Sequence, residues 1–229
     1  MTMSDIAKMI DHTLLRPDAL SGDIERLCKE AIRFGFHSVC INPFWVPLAE
    51  DILSGTDVNV TAVIGFPLGA TFTRVKVFEA MDAVLHGCQE LDVVMNLGLA
   101  KSGRWTAVEK DLSDVISGTG GSIHKVIIET CYLDRDEKMK ASELVRDVGA
   151  KFIKTSTGFG TAGATVEDIT LIKSVVKESC GIKASGGIRT LSQVRDFIVA
   201  GATRIGTSSG VAIMEEVMRN SGRGLRNNP

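Results

Sequence analysis

Three charged residues stand inside short apolar runs where a buried strand has no packing use for them: Asp92 in LDVVMN (91–96), Lys154 in FIKTS (152–156) and Lys183 in GIKASGG (181–187). Taking an ion out of water costs several kcal/mol, so such groups are buried only when paired or put to chemical use. Asp92 and Asn96 share strand parity, which predicts one common face. A purely structural use is a salt-bridge network between neighbouring strands, and either lysine alone is compatible with it. Two lysines against one carboxylate leave a positive charge over, however. That surplus suits an activated amine, because a lysine becomes a nucleophile when desolvation or an adjacent cation disfavours its ammonium form. An amine attacking an aldehyde gives a cationic iminium, which takes up the electron pair released when a neighbouring C–C bond breaks.

Two Gly/Ser-rich turns, SGGIRT (185–190) and GTSSG (206–210), place free backbone N–H groups at helix starts, an arrangement that holds phosphate. One Gly-Gly pair is what any tight turn uses; two such turns carry more weight. Ser156, Thr157 and Gly158, following Lys154, are placed to add donors to the same anion. Cys40 and Asn42 share parity near a strand end, where packing is the ordinary role of a cysteine. His12, His37, His86 and His124 are scattered without zinc spacing, so no metal site is expected, and no nucleophile elbow, Walker or dinucleotide fingerprint occurs.

These residues need elements to hold them. Val/Ile-rich runs at 10–15, 37–42, 58–66, 91–96, 123–130, 152–156, 181–187 and 203–208 predict eight strands about 28 residues apart, close to the length of a βα unit. Most do not alternate cleanly, as expected of parallel strands buried on both faces. Between them, Ile24/Leu27/Ala31, Val77/Met81/Val84 and Ala141/Leu144/Val148 form helical stripes that predict sheet-facing sides. Asp134 with Glu137, Thr165 with Asp168 and Thr190 with Gln193 have the spacing of helix starts. Eight such units in 229 residues predict an α/β chain folded as a single (β/α)8 TIM barrel over residues 1–218. An open doubly wound sheet is the competing architecture if one of the first two runs is not a strand. In a barrel, the three charges project inward near the catalytic face, and the Gly/Ser turns follow strands 7 and 8, where phosphate sites recur. The polar segment 219–229 is expected to be a flexible tail.

Composition narrows the function classes. With 26 basic and 28 acidic residues the formal charge is −2, so neither nucleic acid nor an anionic membrane is an expected partner. Five widely spaced cysteines without a C-x-x-C pattern predict neither disulfides nor zinc knuckles, and fit a reducing cytoplasm. No signal peptide is expected, and no apolar run is long enough to span a bilayer.

The segments IDHTLL (10–15), VCINP (39–43), VIGFPLG (63–69), ELDVVMNLG (90–98), ETCYL (129–133), FIKTSTGF (152–159), IKASGGIRT (182–190) and RIGTSSG (204–210) together resemble the deoxyribose-phosphate aldolases, class I aldolases on a (β/α)8 barrel. The resemblance implies reversible cleavage of 2-deoxy-D-ribose 5-phosphate to acetaldehyde and D-glyceraldehyde 3-phosphate in deoxynucleoside catabolism, without metal or organic cofactor. It implies Lys154 as the Schiff-base lysine, Lys183 as the second lysine that activates it, and Asp92 as the proton-shuttling carboxylate. Phosphate would fall to Gly158, Gly186, Gly187, Ser208 and Ser209, and sugar or water contacts to Asp11, Thr13 and Asn42. It further implies a cytoplasmic homo-oligomer, dimer or tetramer. Two departures stand out: some members end in a tail tyrosine that assists enamine protonation, whereas the only tyrosine here is Tyr132. Some also carry lysine where this chain has Phe159. Another phosphate-anchored Schiff-base lyase and a non-catalytic sugar-phosphate sensor are the alternatives, and keeping all three charged residues speaks against the sensor.

Overall fold

A computed structural model describes residues 2–224. In chain order, α1 (Met3–Ala7) leads into β1 (Ile10–Leu14), α2 (Ser21–Phe34), β2 (Ser38–Ile41), α3 (Val46–Leu53), β3 (Asn59–Ile64), α4 (Thr73–Leu85) and β4 (Glu90–Val94). Then come α5 (Leu97–Lys101), α6 (Trp105–Gly118), β5 (Ile123–Ile127), α7 (Arg135–Asp147), β6 (Phe152–Lys154), α8 (Val166–Val176), β7 (Gly181–Ser185), α9 (Leu191–Ala200), β8 (Arg204–Thr207) and α10 (Gly210–Gly224). Each strand pairs in parallel with the next, and β8 closes onto β1, so the sheet is a closed barrel and the open alternative is excluded.

The strands are apolar runs because both faces are covered: every residue of β2, β4 and β8 is buried. Outside, Ile24, Leu27 and Ala31 of α2 and Ala141 and Leu144 of α7 pack toward the sheet as their spacing predicts. The three helix starts also form, with Asp134, Thr165 and Thr190 each accepting the backbone N–H three residues on. Among the described residues, no helix is long and apolar enough to cross a membrane.

Two expectations are corrected. In α4 the fully buried residues are Lys76, Ala80 and Ala83; Val77 and Val84 of the expected stripe are partly buried against the core, whereas Met81 is exposed. Lys76 can lie inward because its ammonium donates to Asp111 (2.7 Å) and to the Val94 carbonyl (2.8 Å). Finally, α10 runs to Gly224, so the backbone of 219–224 continues a helix; the remaining expected tail, 225–229, lies outside the described residues.

Candidate active site

Barrel register brings the inward-facing charges side by side. Asp92 of β4 lies opposite Lys125 of β5, Lys154 of β6 opposite Lys183 of β7, and Lys183 opposite Arg204 of β8. One oxygen of Asp92, Oδ2, accepts from Lys154 Nζ at 2.8 Å and from Lys183 Nζ at 2.7 Å, while Oδ1 accepts from Lys125 Nζ at 2.7 Å. Lys125 also pairs with Glu90 (2.7 Å) and Lys183 with Asp11 (2.5 Å). Arg204 bridges Asp11 (2.8 Å) and Glu90 (2.9 Å) beneath them. At the lower end His37 bonds the second oxygen of Glu90 at 2.8 Å.

The sequence reading therefore found part of a larger network. Glu90, Lys125 and Arg204 were missed: Lys125 stands inside an apolar strand as Lys154 does, whereas Glu90 and Arg204 open β4 and β8 and read as strand-end residues, although Glu90 shares the parity of Asp92. The salt-bridge network and the activated amine are not exclusive: four strand cations meet three carboxylates, so one positive charge remains over when all are ionised. Lys154 is distinct among the four because it lines a cavity of about 430 Å³ at the catalytic face, whereas Lys125, Lys183 and Arg204 are not in its lining. Lys183 and Lys125 have no exposed surface at all.

Electrostatics fix the charge states below the cavity. Burial opposes ionising Asp92, but the ammonium groups of Lys125, Lys154 and Lys183 outweigh it and hold its carboxyl well below the usual carboxylate range. Asp11 and Glu90 are likewise lowered against burial, by Lys183 and Lys125 first for Asp11 and by Lys125 first for Glu90. For Lys183, burial disfavours the charge, yet Asp11 and Asp92 raise its pKa, so it stays cationic through the neutral range. Burial pushes the Cys40 thiol up, and its Sγ lies 3.7 Å from Asp92 Oδ2.

These shifts set a pH dependence of stability. A carboxylate whose pKa is lower in the folded than in the unfolded chain adds stability that is present above its unfolded value and lost as pH falls below it. For Asp11, Glu90 and Asp92 the unfolded values are 3.8, 4.5 and 3.8. The urea midpoint should stay flat from about pH 6 to 8 and fall steeply below about pH 4. A midpoint unchanged down to pH 3 would contradict the three paired carboxylates.

Above the lysines, the cavity is edged by the expected turns, with Thr13, Gly158, Gly186, Gly187 and Ser208 among its lining. Gly186 has φ +89°, and the position of a Cβ added to Gly163 falls 2.1 Å from the Gly186 carbonyl oxygen, so loop 156–163 and the β7 turn meet backbone to backbone. Glu129 fixes that loop by accepting from the Thr157 N–H at 3.1 Å and from its hydroxyl. Arg16 and Arg189 also border the cavity and were not singled out in the sequence.

Four of the expected residues lie outside the cavity wall. Asp11 is fully buried under the lysines, bonded to Ser38, Arg204 and Lys183, and is therefore a charge partner within the barrel with no surface toward the cavity. Asn42 lies past the end of β2, outside the cavity lining, and donates to the Leu15 carbonyl (3.3 Å). Asn96 lies beyond the end of β4, its backbone still extended, and caps α5 by accepting from the Leu99 N–H. Ser209 is beside the cavity rather than in its wall, its N–H bonded to the Thr207 hydroxyl at 2.9 Å. No group of three or more His, Cys, Asp or Glu able to hold a metal ion occurs among the described residues.

Comparison with known proteins gives the same direction. Residues 6–216 match the model of the DeoC/LacD family aldolases. The chain is 53% identical over 215 residues to the deoxyribose-phosphate aldolase of Thermoanaerobacter sp. (strain X514), covering 93% of this chain and 96% of the relative. It is 52% identical over 217 residues to that of Streptococcus mutans, covering 95% and 99%. Among solved structures, an aldolase designated QR15 superposes with a TM-score of 0.92 at 45% identity, covering 98% of this chain and 99% of that one. The deoxyribose-phosphate aldolase of Aeropyrum pernix, described as tetrameric, gives 0.89 at 34% identity over 94% and 92%. With a closed parallel barrel, a lysine of β6 at the floor of its mouth and a family model matching almost end to end, this chain belongs to the DeoC/LacD family of aldolases.

Proposed function

We propose that the protein is a class I aldolase that cleaves 2-deoxy-D-ribose 5-phosphate reversibly to acetaldehyde and D-glyceraldehyde 3-phosphate, with Lys154 as the Schiff-base residue. The observation that carries this reading is that Lys154 alone of the buried strand cations borders the cavity edged by the Gly/Ser turns. Nucleophilic attack requires one of the four to give up its proton, and only this one can meet a substrate. Lys154 Nζ adds to C1 of the open-chain aldehyde, and loss of water gives the iminium. Removal of the C3 hydroxyl proton then breaks the C2–C3 bond; its electron pair moves into the iminium to form an enamine, and glyceraldehyde 3-phosphate departs. Protonation at C2 and hydrolysis release acetaldehyde and restore the amine.

Asp92 and Lys183 touch the reacting nitrogen's immediate surroundings, through Oδ2 at 2.8 Å from Lys154 Nζ and 2.7 Å from Lys183 Nζ. Oδ2 is thus placed to take a proton from Nζ and return it. The iminium itself is the electron sink, so the chemistry calls for neither metal nor organic cofactor. Phosphate fits the turn formed by Gly158, Gly186, Gly187 and Ser208, with Ser209 at its edge and Thr13 facing the sugar. A cytoplasmic, self-associating enzyme in deoxynucleoside breakdown is the setting this chemistry suits.

Incubating the purified protein with 2-deoxyribose 5-phosphate should release acetaldehyde and glyceraldehyde 3-phosphate in equal amounts; a folded protein that releases neither overturns the proposal. Because a remote phosphate supplies binding energy that positions the reacting end, 2-deoxyribose without phosphate should react about tenfold to a hundredfold less efficiently in kcat/KM. Ser208→Asp, an exposed change that sets a negative charge at the turn, should raise KM for the phosphorylated sugar while sparing the unphosphorylated one. Equal efficiency with both sugars would remove the phosphate anchor.

A further inference from the structure

Along β1, Asp11 points into the barrel, so His12 points out of it, under the helices, and is 3% exposed. An apolar side chain would fill that place without two ring nitrogens to satisfy. His12 instead spans two elements. Its Nε2 bonds Glu30 Oε2 of α2 at 2.8 Å. Its Nδ1 is turned to the end of β8, where the position of a Cβ added to Gly210 falls 2.9 Å from it and 3.1 Å from the Phe36 ring. The first residue of α10 thus rests on the rings of His12 and Phe36, and it does so because it carries no side chain. Burial lowers the pKa of His12, although Glu30 and the Thr207 carbonyl both favour the charged ring. The ring is therefore neutral at pH 7 and held in place by its bond to Glu30.

What rests on His12 is the back of a turn that edges the cavity. The Ser209 carbonyl accepts from the Ile213 N–H at 3.0 Å, which makes Ser209 the residue that starts the helix. The Ser209 N–H bonds the Thr207 hydroxyl at 2.9 Å, and that hydroxyl donates to the Ile188 carbonyl at 2.6 Å. One chain of bonds therefore ties the β8 turn to the β7 turn, where Ile188 follows Gly187. Ser208 borders the cavity from the first turn, Gly186 and Gly187 from the second. The next inward residues of α10, Ile213 and Met214, are buried a turn further on, so the seat of the first turn falls to Gly210 and the rings beneath it. N–H groups at a helix start hold phosphate only where they converge on it.

We propose that His12, locked by Glu30, is a positioning residue for the substrate phosphate: it seats the first turn of α10 and so fixes Ser208 and Ser209 against the Gly186–Gly187 turn. The proposal rests on the phosphate anchor inferred above and adds the support that keeps the anchor in shape. Kinetics with 2-deoxyribose 5-phosphate and with 2-deoxyribose, together with inhibition by inorganic phosphate, test it. In His12→Ala the preference for the phosphorylated sugar in kcat/KM should fall about fivefold and the inhibition constant of phosphate should rise about as much, with kcat/KM for 2-deoxyribose within about twofold of the unmodified chain. Glu30→Ala, which leaves the core filled but frees the ring, should lower the preference about threefold, whereas Glu30→Gln, which keeps a hydrogen-bonding group for the ring, should retain it. Gly210→Ala, whose methyl lifts the helix off an intact ring, should lower the preference as His12→Ala does.

If His12→Ala does not fold, Glu30→Ala and Gly210→Ala carry the test. An unmodified chain that treats both sugars alike and is not inhibited by phosphate removes the anchor itself, and this inference with it. An unmodified chain that prefers the phosphorylated sugar, with the three alanine variants keeping that preference, leaves the anchor standing and overturns the positioning role. An equal loss on both sugars makes His12 a support of the barrel as a whole and likewise overturns the role. A Glu30→Gln variant as impaired as Glu30→Ala overturns the lock.

Discussion

Lys154→Leu should lower cleavage of 2-deoxyribose 5-phosphate by about four orders of magnitude or more, the scale of loss when an enzyme's nucleophile is removed, and should leave a folded protein. Activity falls because no other amine borders the cavity; Lys183 and Lys125 are enclosed beneath it. Folding survives because the substitution leaves no carboxylate stranded. Asp92 keeps Lys125 at 2.7 Å and Lys183 at 2.7 Å, and three cations then face three carboxylates. Removing one partner of a buried pair usually costs about 3–5 kcal/mol, because the other charge is left uncompensated. Here compensation remains, so the urea-derived stability should stay within about 1–2 kcal/mol of the unmodified chain. Loss of activity together with unfolding would mean that Lys154 is chiefly structural.

Lys183→Met, which keeps the chain length and removes the charge, should cut the rate at neutral pH about a hundredfold and shift the pH–rate profile. Both lysine nitrogens bond the same Oδ2, so they lie no further than about 5.5 Å apart; at an effective dielectric near 20, two ammonium charges at that distance repel by about 3 kcal/mol. Lys183 remains charged because Asp11 and Asp92 raise its pKa against burial. It therefore acts as a fixed cation beside the attacking nitrogen, with Asp92 partly opposing. Without it, activity should recover in part under alkaline conditions. The variant should also lose stability, because the Asp11–Lys183 pair at 2.5 Å is broken; Asp11 keeps Arg204 and Ser38 as partners. Arginine is a poor control at this position: the Lys183 side chain is enclosed beside Gly206, and a larger head group would overpack it. An equal loss at every pH would show that Lys183 acts by substrate contact or proton transfer instead.

The eight strands were legible because a parallel barrel strand is buried on both faces and so reads as a plain Val/Ile run. The caps at Asp134, Thr165 and Thr190 were legible because they depend on residues three apart. The innermost residue of α4 was not, since Lys76 points inward only because its ammonium meets Asp111, thirty-five positions away. The same distance effect hid most of the ion network. Lys154, Lys183 and Asp92 stood out as charges in apolar runs, yet Arg204 opens β8 and reads as a strand-end residue, while Lys125 and Glu90 reveal their role only once register sets β4 beside β5. Asp11 was placed on the substrate side by the resemblance alone, and nothing in the chain's own pattern gives its depth along the barrel axis. Only the closed sheet shows it lying beneath Lys183, paired with Arg204.

The most direct test is to incubate the protein with acetaldehyde, reduce with borohydride, and map the adduct by peptide mass spectrometry. Reduction of the iminium fixes a two-carbon ethyl group on the attacking nitrogen. The structure predicts a single modified residue, Lys154, no label in Lys154→Leu, and loss of cleavage activity in proportion to labelling. Labelling at Lys183 or Lys125, or full activity after Lys154 is stoichiometrically ethylated, would contradict the assignment of the nucleophile.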